Sequence, residues 1–480
     1  MLAYIFLFVL GIAPALQAVF DLPLQLAFQR AVLLGCLAWV FLKAYGEGLP
    51  RGFGEKRFIP LWIAAGLSFF SLILSPFRGY VFNEWGNYAA GLLIFLFASF
   101  IKKEERERAE RFLLYGAWLV FVLSLLQVFV LENFYAKPPL TNFNALALYA
   151  VMIIPLALDR QQWPLTGAMV ILVVWTQSLG AALAGVVAAG IYAASRCKGR
   201  ELKENIRILL VLGLLAGPVF YLLQADSISG RLAWWRSAWD MFSLRPLSGF
   251  GHASFTWAQG AFQAEGAFRE HSVYAHNYYL EFLSENGIAA SIAWFWVLFA
   301  AMRRKTGLLK YSVIAALVHS LLDFGLSVPA NFWLFCWLLS SPAEEAGFFR
   351  PSRRAAGAAL ALAGLLLAAL AGLDMRSLSF EKARGRAFAA AQAGRPDLAE
   401  AELKPALSGG VFRGPALELL GNFNLAAPGS AFGAAVYYEM ALLENPYSAG
   451  PWRFLKRIYS VPGRERQAAE LEARRAGVFK

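Results

Sequence analysis

Apolar runs of about 15 to 22 residues recur along the first 375 positions, separated by short polar or basic connections. A bilayer core of roughly 30 Å takes about 20 helical residues to cross. Thirteen spans are predicted, near 1–20, 24–44, 58–75, 86–101, 111–131, 142–158, 164–177, 179–195, 207–223, 277–302, 308–326, 328–342 and 355–373. The expected fold class is all-α: a polytopic transmembrane helix bundle over residues 1–373, holding one large connection at 224–276, followed by a separate domain at 374–480.

Charge orients these spans, because Lys and Arg collect in short cytoplasmic loops. Every second connection is basic: Lys43, Arg51, Lys56 and Arg57; then Lys102, Lys103, Arg106, Arg108 and Arg111; then Arg160; then Arg196, Lys198, Arg200, Lys203 and Arg207; then Arg303, Arg304, Lys305 and Lys310; then Arg350, Arg353 and Arg354. The intervening short loops hold little more than Arg78 and Lys137. The expected amino terminus is therefore cytoplasmic, with the 224–276 loop and residues after 374 outside. Composition agrees, since 59% hydrophobic, 16% charged and a mean hydropathy of +0.51 exceed what a soluble globule carries. The net charge of +12 is absorbed by this topology, so no nucleic-acid partner is needed to explain it. Cys36, Cys197 and Cys336 lie in or beside separate spans, a spacing that suggests neither a disulfide framework nor a zinc site. The first twenty residues lack a basic leader and a clear cleavage site, which points to an uncleaved first span.

From Asp374 the sequence becomes charged and amphipathic and reads as a helical repeat. Small residues at Ala399 and Ala406 recur at Ala434 and Ala441, with Tyr438 between the second pair and Pro446 after it. That offset of 35 residues is close to the 34 of tetratricopeptide repeats, whose small residues let two helices approach. Such a tail suits binding of a protein partner or support of the core rather than chemistry.

Polar residues at a membrane are costly and mark candidate sites. The 224–276 segment holds His252, His271 and His276 beside Arg231, Arg236, Arg245 and Arg269, with only Asp226, Asp240, Glu265 and Glu270 as acids. Guanidinium forks with few carboxylates suit a phosphate-bearing substrate. Arg231, Trp235 and Trp239 share one face of a helix expected to lie along the membrane surface, with Arg231 at headgroup depth. In "PLSGFGHASF", Gly249 and Gly251 follow Pro246 and predict a tight turn that brings backbone close to a neighbour. His276 opens a helix, with Asn277 and Glu281 one turn along, and can take a proton from an attacking hydroxyl. His319 and Asp323, four apart, are expected to hydrogen-bond to each other inside the bundle. Arg30, within the second span, either snorkels outward or lines the cavity.

The order of these segments resembles the O-antigen ligase and polymerase superfamily, polytopic glycan transferases that use undecaprenyl-diphosphate donors. "PPLTNFNALALYAVMIIPLAL" is similar to the family's Asn-containing span start. "GRLAWWRSAWDMFSLRPLSGFGHASF" is similar to its Arg-x-x-x-Trp segment and Gly-x-Gly turn, "HNYYLEFLSENGI" to its His-Asn hallmark, and "VHSLLDFGLSVPANFWLF" to its penultimate span. The likeness covers most of residues 60–342. It implies that Arg231 binds diphosphate and that His276 is the catalytic histidine of a metal-independent transfer needing no cofactor. Family members often carry Ser-Arg-Gly where this chain has Ser178-Leu179-Gly180, so Arg236, Arg78 or Arg30 is expected to supply the missing contact. His252, Asn277, Glu281, Gly249 and Gly251 complete the expected substrate-binding set.

The resemblance implies a glycosyltransferase of the bacterial inner membrane that moves a glycan from a polyprenyl diphosphate to an acceptor at the outer face. The acceptor would be lipid A core, another lipid-linked glycan or a protein hydroxyl. A transporter or flippase would instead spread ionisable residues through the mid-spans and show broken helices in matching halves. A scaffold for polysaccharide assembly would make Arg231 and His276 expendable.

Overall fold

The computed structural model describes residues 1–16, 21–130, 139–140, 142–196, 225–263, 272–342, 347–408, 410–426 and 429–479, with side chains of the helix that begins at 225 described from 229 onward. The expected span at 207–223 lies outside the described residues, as do Cys197, His271, Lys137 and the charged residues at 198, 200, 203, 207, 265, 269 and 270. The described chain is all-α apart from one two-residue antiparallel pairing, Leu49–Pro50 with Phe348–Phe349.

The membrane part comprises α1 (Leu2–Ile12), α2 (Leu22–Tyr45), α3 (Ile59–Leu74), α4 (Arg78–Ala98), α5 (Lys103–Phe129), α6 (Phe143–Asp159), α7 (Trp163–Trp175), α8 (Leu179–Arg196), α9 (Ala225–Leu244), the short α10 (Phe255–Ala258), α11 (Tyr278–Arg304), α12 (Leu309–His319), α13 (Pro329–Leu339) and the start of α14 (Arg353–Gln392). Among the described residues, six helices are long and apolar enough to cross a membrane: α2, α3 with its lead-in turn, α5, α8, α11 and α14. Large apolar side chains such as Phe70, Ile171 and Leu366 face outward, as a lipid-facing surface requires. The chain is a multi-pass membrane protein.

At the centre stands α13, buried at every position, as befits a helix apolar on all sides. Its polar atoms tie it to its neighbours. The Trp333 indole donates to the Asn87 carbonyl at 2.9 Å and the Asn331 amide donates to the Ala145 carbonyl at 2.9 Å. Beyond its last turn, Arg106 donates to the Ser340 hydroxyl (2.9 Å) and the Trp337 carbonyl (2.8 Å), and Lys305 donates to the Ser340 carbonyl (2.7 Å). Glu110, paired with both Arg106 and Arg160, offsets this cluster of buried cations, while the cations favour the negative end of the helix dipole. Three basic connections thus converge at one end of α13.

Two helices differ from the sequence expectation, for one physical reason. The span expected at 308–326 ends at His319, and residues 320–328 run irregularly toward Pro329, which opens α13. The helix α11 breaks at Gly287, whose φ of 75° and ψ of 173° are non-helical. Each break frees backbone groups that a bilayer cannot satisfy, and another segment takes them up. Gly251 N donates to Glu285 O at 2.7 Å, Phe250 N to Ser284 O at 3.2 Å, and Ile288 N to Pro246 O at 2.8 Å. Tyr278 N donates to Ser320 O at 3.0 Å.

The turn at 246–251 therefore lies inside the broken helix. A Cβ on Gly249 would stand 2.2 Å from Glu285 O, and one on Gly287 would stand 2.2 Å from Leu247 O.

Across the 373/374 boundary α14 runs unbroken, and α15 (Pro396–Leu407), α16 (Arg413–Ala426), α17 (Ala431–Glu444), α18 (Ala449–Tyr459) and α19 (Glu465–Val478) follow. Ala399, Ala434 and Ala441 are buried, and Gly421 lets α16 approach the Tyr438 ring. This tail seats on the 245–263 segment through Tyr447 against Phe250 (ring centroids 5.1 Å apart) and Phe479 against Phe262 (5.3 Å).

The Gly287→Ala variant is expected to lose about 2 kcal/mol or more of stability, since its Cβ meets backbone and its φ is positive. Gly66→Ala, where a Cβ meets nothing within 4 Å, is the control and should be neutral or slightly stabilising. Thermal unfolding in detergent checks both.

Candidate functional site

His276 stands immediately before α11 in a left-handed backbone conformation, φ 52°, which costs a non-glycine residue free energy and persists only where its surroundings hold it. Asn277 is the cap of α11: its side-chain oxygen accepts from Tyr279 N at 3.1 Å and Leu280 N at 3.0 Å, satisfying two of the free donors of the first turn. Its amide donates to Leu321 O at 3.0 Å, stapling the start of α11 to the turn after α12. The Trp235 indole donates to the His276 carbonyl at 3.4 Å.

That turn carries Asp323, which is buried and accepts from Phe324 N at 2.8 Å. Its Oδ1 lies 3.6 Å from His276 Nδ1 and its Oδ2 lies 3.6 Å from Arg231 Nη2. One carboxylate thus faces both residues within ion-pair reach, though beyond a direct hydrogen bond. His276 is fixed in plane as well, stacked on Trp234 (4.7 Å, 25°) and met edge-on by Phe324 (4.8 Å, 86°). His276 Nδ1 is buried without a hydrogen-bond partner, and the Asp323 carboxylate is the charged group that faces it. The Arg231 Nε is buried without a hydrogen-bond partner, a donor held in reserve.

His319 does not pair with Asp323. Helix α12 ends at His319, so Asp323 leaves the helical register, and neither imidazole nitrogen of the fully buried His319 has a hydrogen-bond partner. Gly180, of the Ser178–Gly180 stretch, lies against that ring; a Cβ there would be 3.7 Å from it.

Beyond Phe324, which stacks on Tyr274 (4.3 Å, 8°), lies a hollow of about 250 Å³, open on one side to solvent. Tyr80, Glu84, His252, Trp257, Glu281 and Glu285 line it. Glu281 accepts from Ala275 N at 2.7 Å and from the Ser327 hydroxyl; Glu285 accepts from Ala253 N (2.8 Å) and Phe255 N (2.9 Å). His252 Nδ1 is 3.3 Å from the Asn286 amide and 4.0 Å from Glu285, with its ring against Tyr88 at 4.9 Å. Burial pulls its imidazole down to about 4, so it is uncharged at neutral pH.

The structure therefore brings Arg231 and His276 together and sends the other expected cations elsewhere. Arg30 is held by Asp374 of α14 at 2.7 and 2.6 Å. Arg78 lines a hollow against the tail beside Glu418 and Glu444, and Arg236 is exposed. Gly249 and Gly251 face protein, at Glu285 and Ser75. Asp323 in its central position, Trp234, Tyr274 and the carboxylate hollow were not foreseen from the sequence, because these residues come from different spans and loops and no local spacing links them. Among the described residues, no group of three or more His, Cys, Asp or Glu side chains is placed to hold a metal ion.

A family model described as O-antigen ligase matches residues 164–295, a stretch that includes Arg231, His252, His276 and Glu285 but stops before Asp323. No curated protein matches the chain.

His252 binds its proton only near pH 4 in the fold and near 6.5 in the unfolded chain, so the unfolded state takes up the proton first as pH falls. Stability present above about pH 6.5 is expected to decline toward pH 4. The melting temperature in detergent should drop further between pH 7 and pH 5 in the wild type than in His252→Gln; equal drops would contradict this assignment.

Proposed function

From membership of the O-antigen ligase superfamily as premise, we propose that this multi-pass membrane protein is a glycosyltransferase that moves a glycan from an undecaprenyl-diphosphate-linked donor to an acceptor hydroxyl at the outer face of the bacterial inner membrane. The observation that carries this reading is the shared carboxylate of Asp323, which holds Arg231 and His276 within 3.6 Å of its two oxygens. In the transfer, the acceptor oxygen bonds to the anomeric carbon as the bond from that carbon to the diphosphate oxygen breaks. His276 Nε2 takes the hydroxyl proton, and Asp323 stabilises the imidazolium that results. Arg231 meets the negative charge left on the departing lipid diphosphate, where a guanidinium is worth most because little water competes.

The side of the membrane is supported by the ends of α13. Arg106, Arg160 and Lys305 gather beyond its last residue, and the turn carrying Asp323 leads into its first, so the basic connections and the site lie at opposite ends of one helix. Under the positive-inside rule the site then faces outward, with the amino terminus inside and the tail on the side of the reaction. The tail reads as a partner-binding or stabilising module of tetratricopeptide type.

In vesicles carrying a polyprenyl-diphosphate-linked glycan and candidate acceptors, His276→Ala and Arg231→Ala are each expected to cut transfer by about 100-fold or more. Asp323→Asn, which keeps the shape but loses the charge, should cost about 10-fold or more through kcat. Folded variants that transfer at the normal rate would refute the assignment. Mass spectrometry of the product identifies the acceptor.

A further inference from the structure

The hollow on the far side of Tyr274 and Phe324 is unlike the Arg231–His276 side in every chemical respect. Three carboxylates reach it, from Glu84 on α4 and from Glu281 and Glu285 on α11, and its histidine carries no charge at neutral pH. No Arg or Lys lines it, so it offers a diphosphate no cationic donor. The carboxylates are also not gathered as a metal site, since no three acidic or imidazole groups among the described residues converge on one point. What remains for them is to accept hydrogen bonds from neutral donors. Glu84 meets side-chain amides, Asn87 donating to its Oε2 at 3.0 Å with Gln25 beside it, and these can yield to a ligand hydroxyl, whereas Glu285 spends both oxygens on backbone N–H groups.

Aromatic rings supply the rest of the wall. Tyr80 and Trp257 stack at 4.0 Å with their planes 15° apart, and this pair borders a second open space of about 370 Å³ between the 256–263 segment and the tail, edged by Glu418, Ser448 and Arg453. The two hollows thus adjoin, with Tyr80, Thr256 and Trp257 in the walls of both. Flat apolar faces beside hydrogen-bond acceptors match a pyranose, which has C–H faces to stack and hydroxyls to donate.

We propose that these adjoining hollows are the acceptor subsite and that they take a saccharide chain: one ring stacks on the exposed face of Trp257, which Tyr80 backs from the other side, and a neighbouring ring donates hydroxyl hydrogen bonds to Glu84 in the inner hollow, one aromatic layer from His276. The tail forms the outer wall of the second hollow, through α16 and α18. This rests on the transferase reading and specifies which side of the site holds the acceptor and what class of acceptor it is.

Saturation-transfer NMR on the detergent-solubilised protein tests it without turnover, using core oligosaccharide released from lipopolysaccharide, a Ser/Thr-containing peptide and inorganic pyrophosphate as probes. Trp257 is exposed but stacks on Tyr80, so the melting temperature of each variant is measured alongside, and Trp257→Tyr keeps a ring against Tyr80. Saccharide binding is expected to fall about 10-fold or more in Trp257→Ala and in Glu84→Gln, to be retained in Trp257→Tyr, and to be unmoved by Arg231→Ala. Pyrophosphate binding should show the reverse pattern. In vesicle assays the same two variants should raise the acceptor KM about 10-fold with the donor KM unmoved. No saturable saccharide binding, or peptide binding that alone depends on Trp257, would overturn the proposal. Transfer abolished by His276→Ala with an acceptor KM untouched by Trp257→Ala would overturn it while leaving the transferase reading intact; normal transfer by His276→Ala would instead strike the transferase reading itself.

Discussion

Hydrocarbon offers no hydrogen-bond partner, so a helix that stops inside a membrane bundle must pass its freed backbone groups to other parts of the protein. Two helices stop in this way, α11 at Gly287 and α12 at His319. The turn at 246–251 fills the first break, and the segment at 276–278 meets the second. Both repairs have the same consequence for the site. They pin the loop that carries His252, and the residues around His276, to fixed points of the bundle, and they do so through backbone rather than flexible side chains. The strained backbone of His276 is tolerable for that reason: Asn277 caps α11 and bonds the neighbouring turn, and Trp235 holds the His276 carbonyl.

Charge is then divided across one aromatic layer. On one side Asp323 faces an arginine and a histidine; on the other, Glu84, Glu281 and Glu285 face an uncharged histidine and a set of tyrosines. At the low dielectric of a bundle interior, mixing these groups would pair Arg231 with several carboxylates and spend its charge internally. The Tyr274–Phe324 stack keeps them apart. Arg30 illustrates the alternative: bonded to Asp374, it has become a clamp between α2 and α14.

Much of the fold was legible because membrane insertion acts on local runs. Length and apolarity mark a span wherever it occurs, and each expected span within the described residues coincides with a helix. The limits of that reading fall where tertiary contacts override a run: the span expected at 308–326 is cut short at His319 because the residues after it bond the start of α11. The glycines at 249 and 251 were legible as a close approach of backbone, though the partner, a broken helix, was not.

By itself the sequence determined an all-α polytopic bundle, an alternation of basic connections, and Arg231 and His276 as the residues to watch, since hydrophobic length, charge sorting and a few motif spacings are properties of neighbouring residues. Only the tertiary structure decided that Asp323 stands between those two, that His252 belongs to a different hollow, and that Arg30, Arg78 and Arg236 lie elsewhere. Which polar groups meet in a bundle depends on how whole helices pack, and α9, α11 and the turn after α12 come together only when the chain has folded.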